Sequence, residues 1–454
     1  MQEIHGHKVT IRHFIKEMLP LAIPVAMHEF LISAVNIADT IMVGQINETA
    51  IAAVNLANQI FFIFILMMVG VTSGCAIFVS QYWGDKDVKG VQRTLGFTLI
   101  LTIIASTIFS MFSIAFAEQI VSFYTKDAAV ISLGVDYLKI NGYSFPLVAL
   151  SFTYCVVLRS THKPKLPLFT TTFALITNVF LNFVFIFGKF GFPRMGVEGA
   201  ALATLISRTL EVALLFSVMR IKNSFLLAGI KDLFTLSQGF IKKFVATNYP
   251  VFLNEMGWVI GTSLFNKIYA GISTQAITSV CIADNIFNIF FVVFFGTSSA
   301  TAILIGNKIG ENKLSIAHDY AKIVHKIIPV ISVVFAVLLA AGNKLFPIIY
   351  GVESETLEIT SLVILVYAFI LPFKTFNLHT VNGILRSGGD TKFALALDIG
   401  GIWFVGLPMA LLARDVLHLP LIGVVIFLLS EEIIKTVIGF FRVRHGKWIN
   451  RVIE

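Results

Sequence analysis

Residues 20–61 read PLAIPVAMHEFLISAVNIADTIMVGQINETAIAAVNLANQIF. The stretch is apolar enough to cross a bilayer, turns once at Gly44-Gln45-Ile46-Asn47, and starts back. Asp39 stands inside it, a carboxylate in an otherwise hydrophobic helix. An unpaired charge in hydrocarbon is costly, so an acid there marks a functional position unless it reaches the headgroup level. Gly44 lies only five residues on, which keeps the helix-end alternative open. Asn36, one turn back on the same face, favours a shared ligand instead.

The same character runs the length of the chain. Of 454 residues, 57% are hydrophobic and 13% charged, with mean hydropathy +0.86. A soluble domain carries about 25% charged residues. Apolar runs long enough to span lie near 17–43, 51–82, 94–118, 130–158, 166–188, 196–220, 243–268, 275–305, 320–346, 358–385, 392–414 and 418–441. The pattern predicts an all-α polytopic membrane protein with twelve transmembrane helices. The polar, charged residues 1–16 do not read as a cleavable signal peptide. Cys75, Cys155 and Cys281 are isolated in apolar runs, which argues against disulfides and a zinc site.

Of the basic residues near the span ends, 24 fall on one side and 6 on the other. The positive-inside rule then puts both termini in the cytoplasm of a multi-pass cell-membrane protein. The net charge of +8 reflects that topology rather than a nucleic-acid partner.

The chain also repeats itself. Ala50–Phe61 (AIAAVNLANQIF) and Ala276–Phe287 (AITSVCIADNIF) share six identities in twelve at an offset of 226. Gly84-Asp85-Lys86 meets Gly310-Glu311-Asn312 at the same offset, and Leu158-Arg159-Ser160 meets Leu385-Arg386-Ser387 at 227. Half-chain repeats with an even number of spans imply two six-helix lobes related by a pseudo-two-fold along the membrane normal. The expected division is residues 1–220, a cytoplasmic linker 221–242 with a short interfacial helix, and residues 243–454.

VNIADTIMVG (35–44), LRSTHKPKLP (158–167), GKFGFPRMGVEGAALAT (188–204) and VNGILRSGGDTK (381–392), in this order and with the repeat, resemble the multidrug and toxic compound extrusion (MATE) antiporters. The resemblance covers essentially the whole chain. It implies a V-shaped fold of two lobes around a central cavity, which the 226-residue repeat sets between spans 1, 2, 7 and 8. It also implies exchange of organic, often cationic, compounds for entering sodium or protons, without a cofactor. The expected partners are small organic molecules and membrane lipids, with a monomeric chain.

On the same resemblance, Asp39 matches the first-helix acid used for cation coupling, and Pro24 the proline at which that helix bends. Asn178 and Asn182 share a face of the fifth span, and some relatives carry an acid at the second of these positions. Glu255 matches the seventh-helix glutamate of sodium-coupled members, but Thr375 stands where their tenth-helix aspartate is expected, with Lys374 beside it. A buried lysine needs a partner, and Glu255, Asp284 or Asp398 can supply one. These residues are therefore candidates for coupling or substrate binding, against the alternative of a structural ion-pair network. Arg208/Glu211 and Glu432/Lys435 read as structural i, i+3 pairs in corresponding places of the two repeats.

Other classes fit less well. His28-Glu29 opens like a zinc-protease motif, but position 32 is Ile, and neither GxSxG nor a P-loop is present. A channel has no need of a titratable acid on a proline-hinged helix. A flippase for a lipid-linked precursor is the nearer alternative, and would want a more basic interior. The missing tenth-helix acid favours protons as the coupling ion, with sodium at Asp39 or Glu255 as the alternative.

Overall fold

The two repeats start their second helices in the same way. Asn47 accepts a hydrogen bond from the Ala50 N–H at 2.7 Å, and its mate Ser273 accepts from Ala276 at 3.0 Å. Each satisfies an amide that the first helical turn leaves without a partner.

The structure is a computed structural model that describes residues 9–227 and 236–453; the side chains of Asn36, Ile37, Glu48 and Ile349 lie outside the description. Its helices are α1 Ile11–Gly44, α2 Glu48–Gly84, α3 Val88–Ala115, α4 Ala117–Tyr124, α5 Ala128–Gly142, α6 Phe145–Ser160, α7 Lys165–Phe187 and α8 Gly196–Ile221. They continue as α9 Gln238–Ala270, α10 Thr274–Gly310, α11 Leu314–Ala341, α12 Ser354–Leu385, α13 Thr391–Val416 and α14 Leu421–Arg444.

Every expected span falls on a helix, the fourth on α5 and α6 together, which meet at a 50° bend. Among the described residues nine helices are long and apolar enough to cross a membrane, ten with the bent pair. The two left out are α9 and α14. They are long enough, at 33 and 24 residues, but carry Asn254 and Glu255, and Glu431, Glu432 and Lys435. The linker contributes one 3₁₀ turn at Phe225–Leu227, while Leu233 and Phe234 of the expected interfacial helix lie outside the described residues.

The chain packs as two compact units. One comprises Met1–Ala26, Ser80–Lys86 and Lys243–Glu454, the other Met27–Val79 and Asp87–Lys242. Helix α1 therefore changes unit two residues past Pro24. In the amino-terminal unit, α3 buries a stripe of Thr94, Thr98, Thr102, Ser106 and Ser110. Thr94, Thr98 and Thr102 return their hydroxyl protons to the carbonyl one turn back, so small polar residues allow close packing without orphaned groups. Large apolar side chains such as Val330, Val337, Phe369 and Phe404 stand exposed, as a lipid-facing surface requires.

In the carboxyl-terminal unit the end of α2 crosses the end of α10 at backbone contact. A Cβ on Gly84 would overlap the Asn307 carbonyl, and one on Gly310 would overlap the Gln81 carbonyl. The two contacts exchange into each other at the 226 offset, and between them Ser80 touches its own mate, Gly306. Reciprocal contacts flanking a self-contact are the mark of a local two-fold axis. The chain after α14 then ties the crossing down. Gln81 donates to the carbonyls of Ser387 and Asn450 and accepts from the Val452 N–H at 2.8 Å, while Arg451 pairs with Asp85 at 2.9 Å.

Gly84→Val and Gly310→Val should each lower the unfolding midpoint in detergent, by a cost of about 1–3 kcal/mol. Gly400→Val, where a Cβ meets nothing within 4 Å, should shift it far less.

Candidate functional site

Asp39 lies three turns beyond His28 on α1 and faces α7. Asn182 donates to Asp39 Oδ1 at 2.7 Å. With its carboxamide turned to face the acid, Asn178 donates to both carboxylate oxygens, at 3.1 and 3.3 Å. Both asparagines are buried, four apart on one helix face as their spacing predicts. Thr204 on α8 lies 3.3 Å from the Asn178 amide, and Tyr137 on α5 stands beside Asp39 and Thr204. Among the described residues Asn182 Oδ1 is buried without a partner. The Asn36 side chain lies outside the described residues. Among the described residues no cation comes within ion-pair distance of Asp39; Arg208 acts on it only from beyond contact.

A second polar group occupies the same unit. Arg159 reaches inward from the end of α6 to Glu29, at 3.3 Å, and to His28 Nδ1, at 2.7 Å. A guanidinium can only donate, so His28 Nδ1 accepts and the ring proton sits on Nε2. From there it donates to Thr171 Oγ1 at 3.2 Å, Thr171 donates to Glu211 at 2.7 Å, and Arg208 closes on Glu211 at 2.8 Å. The Arg208/Glu211 pair is thus one end of a buried chain through α1, α6, α7 and α8.

The carboxyl-terminal unit repeats this chain with altered residues. Arg386 donates to Glu255 at 2.7 Å, the mates of Arg159 and Glu29. Asn254, mate of His28, donates to Asp398 at 3.0 Å, and Asp398, mate of Thr171 at offset 227, faces Lys435 at 3.4 Å. Lys435 is the mate of Arg208 at that offset, so the cation keeps its place while its acid partners change sides.

Among the described residues Lys374 makes no close ion pair with the acids expected for it. Its ammonium stands 4.8 Å from the centre of the Phe287 ring and 5.6 Å from that of Phe291, a cation–π seat. Asp284 acts on it from farther off and is hydrogen-bonded by Tyr367. Glu255 is taken by Arg386 and Asp398 by Lys435. Thr375 is buried and returns its hydroxyl to the Pro372 carbonyl at 3.1 Å. The predicted residues therefore fall into one amino-terminal cluster of Asp39, Asn178 and Asn182, and three separate carboxyl-terminal groups. Thr204 and Tyr137 were missed: Thr204 closes the motif at 188–204, whereas nothing in the sequence around Tyr137 points to Asp39.

A helical bundle that duplicates one six-span repeat and buries acids and amides in both copies is built as a membrane transporter. The MatE family model matches residues 24–184 and again 250–412, and the chain belongs to this multidrug and toxic compound extrusion family. It is 26% identical over 446 residues to the uncharacterized transporter YisQ of Bacillus subtilis, covering 95% of this chain and 94% of that one. To the probable multidrug resistance protein NorM of Thermotoga maritima it is 25% identical over 449 residues, 96% and 94% of the two chains. Its fold matches the Vibrio cholerae MATE transporter VcmN in the bent form, with TM-score 0.87 over 97% of this chain and 99% of that one at 15% identity. Membership in this family makes the protein a transporter and not an enzyme.

Removing Arg208 leaves Glu211 buried with only a threonine donor. Arg208→Met should cost about 3–5 kcal/mol, and adding Glu211→Leu should recover much of it, because an unpaired buried charge costs more than no charge. Denaturant unfolding of the two variants in detergent reads both.

Proposed function

We propose that this chain is a secondary antiporter that exports organic cations in exchange for entering protons, with Asp39 as the coupling acid. The observation that carries the proposal is an acid within a membrane helix held by two carboxamides and, among the described residues, by no cation. Asn182 and Asn178 keep the carboxylate in position through neutral N–H donors, so it can accept a proton or face a cation without breaking an ion pair. A proton at Asp39 and a cationic compound then compete for one carboxylate, and that competition is antiport. Pro24 removes a helical hydrogen bond just before α1 passes between units, which suits a bend that opens and closes access to Asp39. Both termini face the cytoplasm of the cell membrane, and one chain suffices.

A second reading has sodium as the coupling ion. The Asn182 oxygen, without a partner among the described residues, offers a hard-oxygen set with Asp39 and Thr204. A sodium ion at Glu255 would have to displace the Arg386 guanidinium.

Dye export from proteoliposomes, driven by one imposed gradient at a time, separates the readings. A pH gradient should drive export by the native protein, and Asp39→Asn should reduce it to that of empty vesicles while its expression and unfolding midpoint hold. Export driven by sodium at fixed pH, and insensitive to a pH gradient, would replace the proton with sodium. Native rates in Asp39→Asn would take the acid out of coupling.

A further inference from the structure

We infer that the carboxyl-terminal unit carries a proton-binding site at Glu431, in a buried cluster with Asp398, Glu432, Lys435, Asn254 and Asn377. This goes beyond the antiport proposal, which places exchange at Asp39, and does not depend on it.

The cluster has more negative charge than it can balance. Lys435 is 4% exposed, and its ammonium faces Asp398 at 3.4 Å, Glu432 at 3.4 Å and Glu431 at 3.5 Å. One ammonium offsets one carboxylate, so three ionised acids would leave two uncompensated charges in a desolvated site. The other charged groups nearby do not close the gap. Lys374 acts on Glu431 from a distance, but it is seated on Phe287 and Phe291 and acts on Asp284 as well. Tyr269 contributes a neutral phenol, and Arg386 is engaged with Glu255.

Hydrogen bonding tells the three acids apart. Asp398 accepts from Asn254, and Glu432 accepts from Asn377 at 2.7 Å, an amide oriented in turn by Thr436. Both are supported as carboxylates. Glu431 is not: Oε1 makes the longest of the three contacts to Lys435, and among the described residues Oε2 is buried with no partner. Oε2 lies against Gly401 and Gly406, where a Cβ would stand 3.1 and 3.4 Å away, beside the π turn Ile402–Gly406. Asn254 Oδ1 is a second buried oxygen without a partner among the described residues. A carboxyl with one oxygen near an ammonium and the other unsupported is where a proton belongs. Binding converts the Glu431 carboxylate and one proton from solvent into the neutral acid, lowering the excess by one charge. Among the described residues no three His, Cys, Asp or Glu side chains converge to hold a metal ion.

The amino-terminal repeat is an internal control. At offset 227 the mates of Asp398 and Glu431 are Thr171 and Thr204, so there Arg208 meets one acid and the chain is neutral. Two hydroxyls in one repeat are two carboxyls in the other.

Infrared difference spectroscopy of the whole protein in lipid, titrated in heavy water, tests the assignment. A protonated-carboxyl C=O band should be present at neutral pH, vanish in Glu431→Gln, and survive in Asp39→Asn, whether or not that second variant transports. A band untouched by Glu431→Gln would overturn the site. Should Glu431→Gln not assemble, Glu432→Gln serves: removing one negative charge should weaken proton binding and shift the band's titration to lower pH, and an unshifted titration would overturn the site. Loss of the band on adding sodium at fixed pH would show sodium taking the place assigned to the proton, and would overturn it as well.

Discussion

A guanidinium from the last turn of one span reaching a glutamate on the first helix of its repeat underlies both polar chains. Arg159 to Glu29 and Arg386 to Glu255 are the same contact made twice. A charge pair inside an apolar bundle gains little net stability, because desolvation consumes most of the Coulomb energy, but losing one partner is severe. Such a pair therefore fixes which helices neighbour one another. Around it each repeat arranges a further cation, Arg208 or Lys435, and the hydroxyls, amides and acids between them.

What is duplicated and what is not separates scaffold from candidate site. The pair, the second cation and the bridging side chain recur at an offset of 226 or 227. Asp39, Asn178 and Asn182 do not, since the corresponding places hold Phe265, Val405 and Met409. One repeat keeps a carboxylate among amides there while the other is apolar. The carboxyl-terminal repeat instead gathers its surplus acid around Lys435.

The spans, the repeat and the shared face of Asn178 and Asn182 were legible because they depend on periodicity and spacing alone. Partner choice was not. Arg159 and Arg386 count as loop charges by position, yet their side chains are 16% and 9% exposed, because a long side chain at a helix end turns inward as readily as outward. Lys374 was expected to need an acid; aromatic faces seat it, and Asp284 acts on it from farther off. His28 suggested a metal motif cut short, whereas its role follows from Arg159, 131 residues away. The π turns in α12 and α13 leave no trace in hydropathy, since inserting one residue into a turn does not change composition.

The strap over the α2–α10 crossing has a consequence for biosynthesis. Gln81 and Asn450 are 369 residues apart. When α2 enters the membrane, the carbonyls and N–H that Gln81 will use have not been translated, and at least ten further helices must be inserted before they exist. Contacts this distant in sequence form late. Through most of its synthesis the nascent chain therefore carries a second helix whose Gln81 amide has only water to bond, until the strap that takes its place is made.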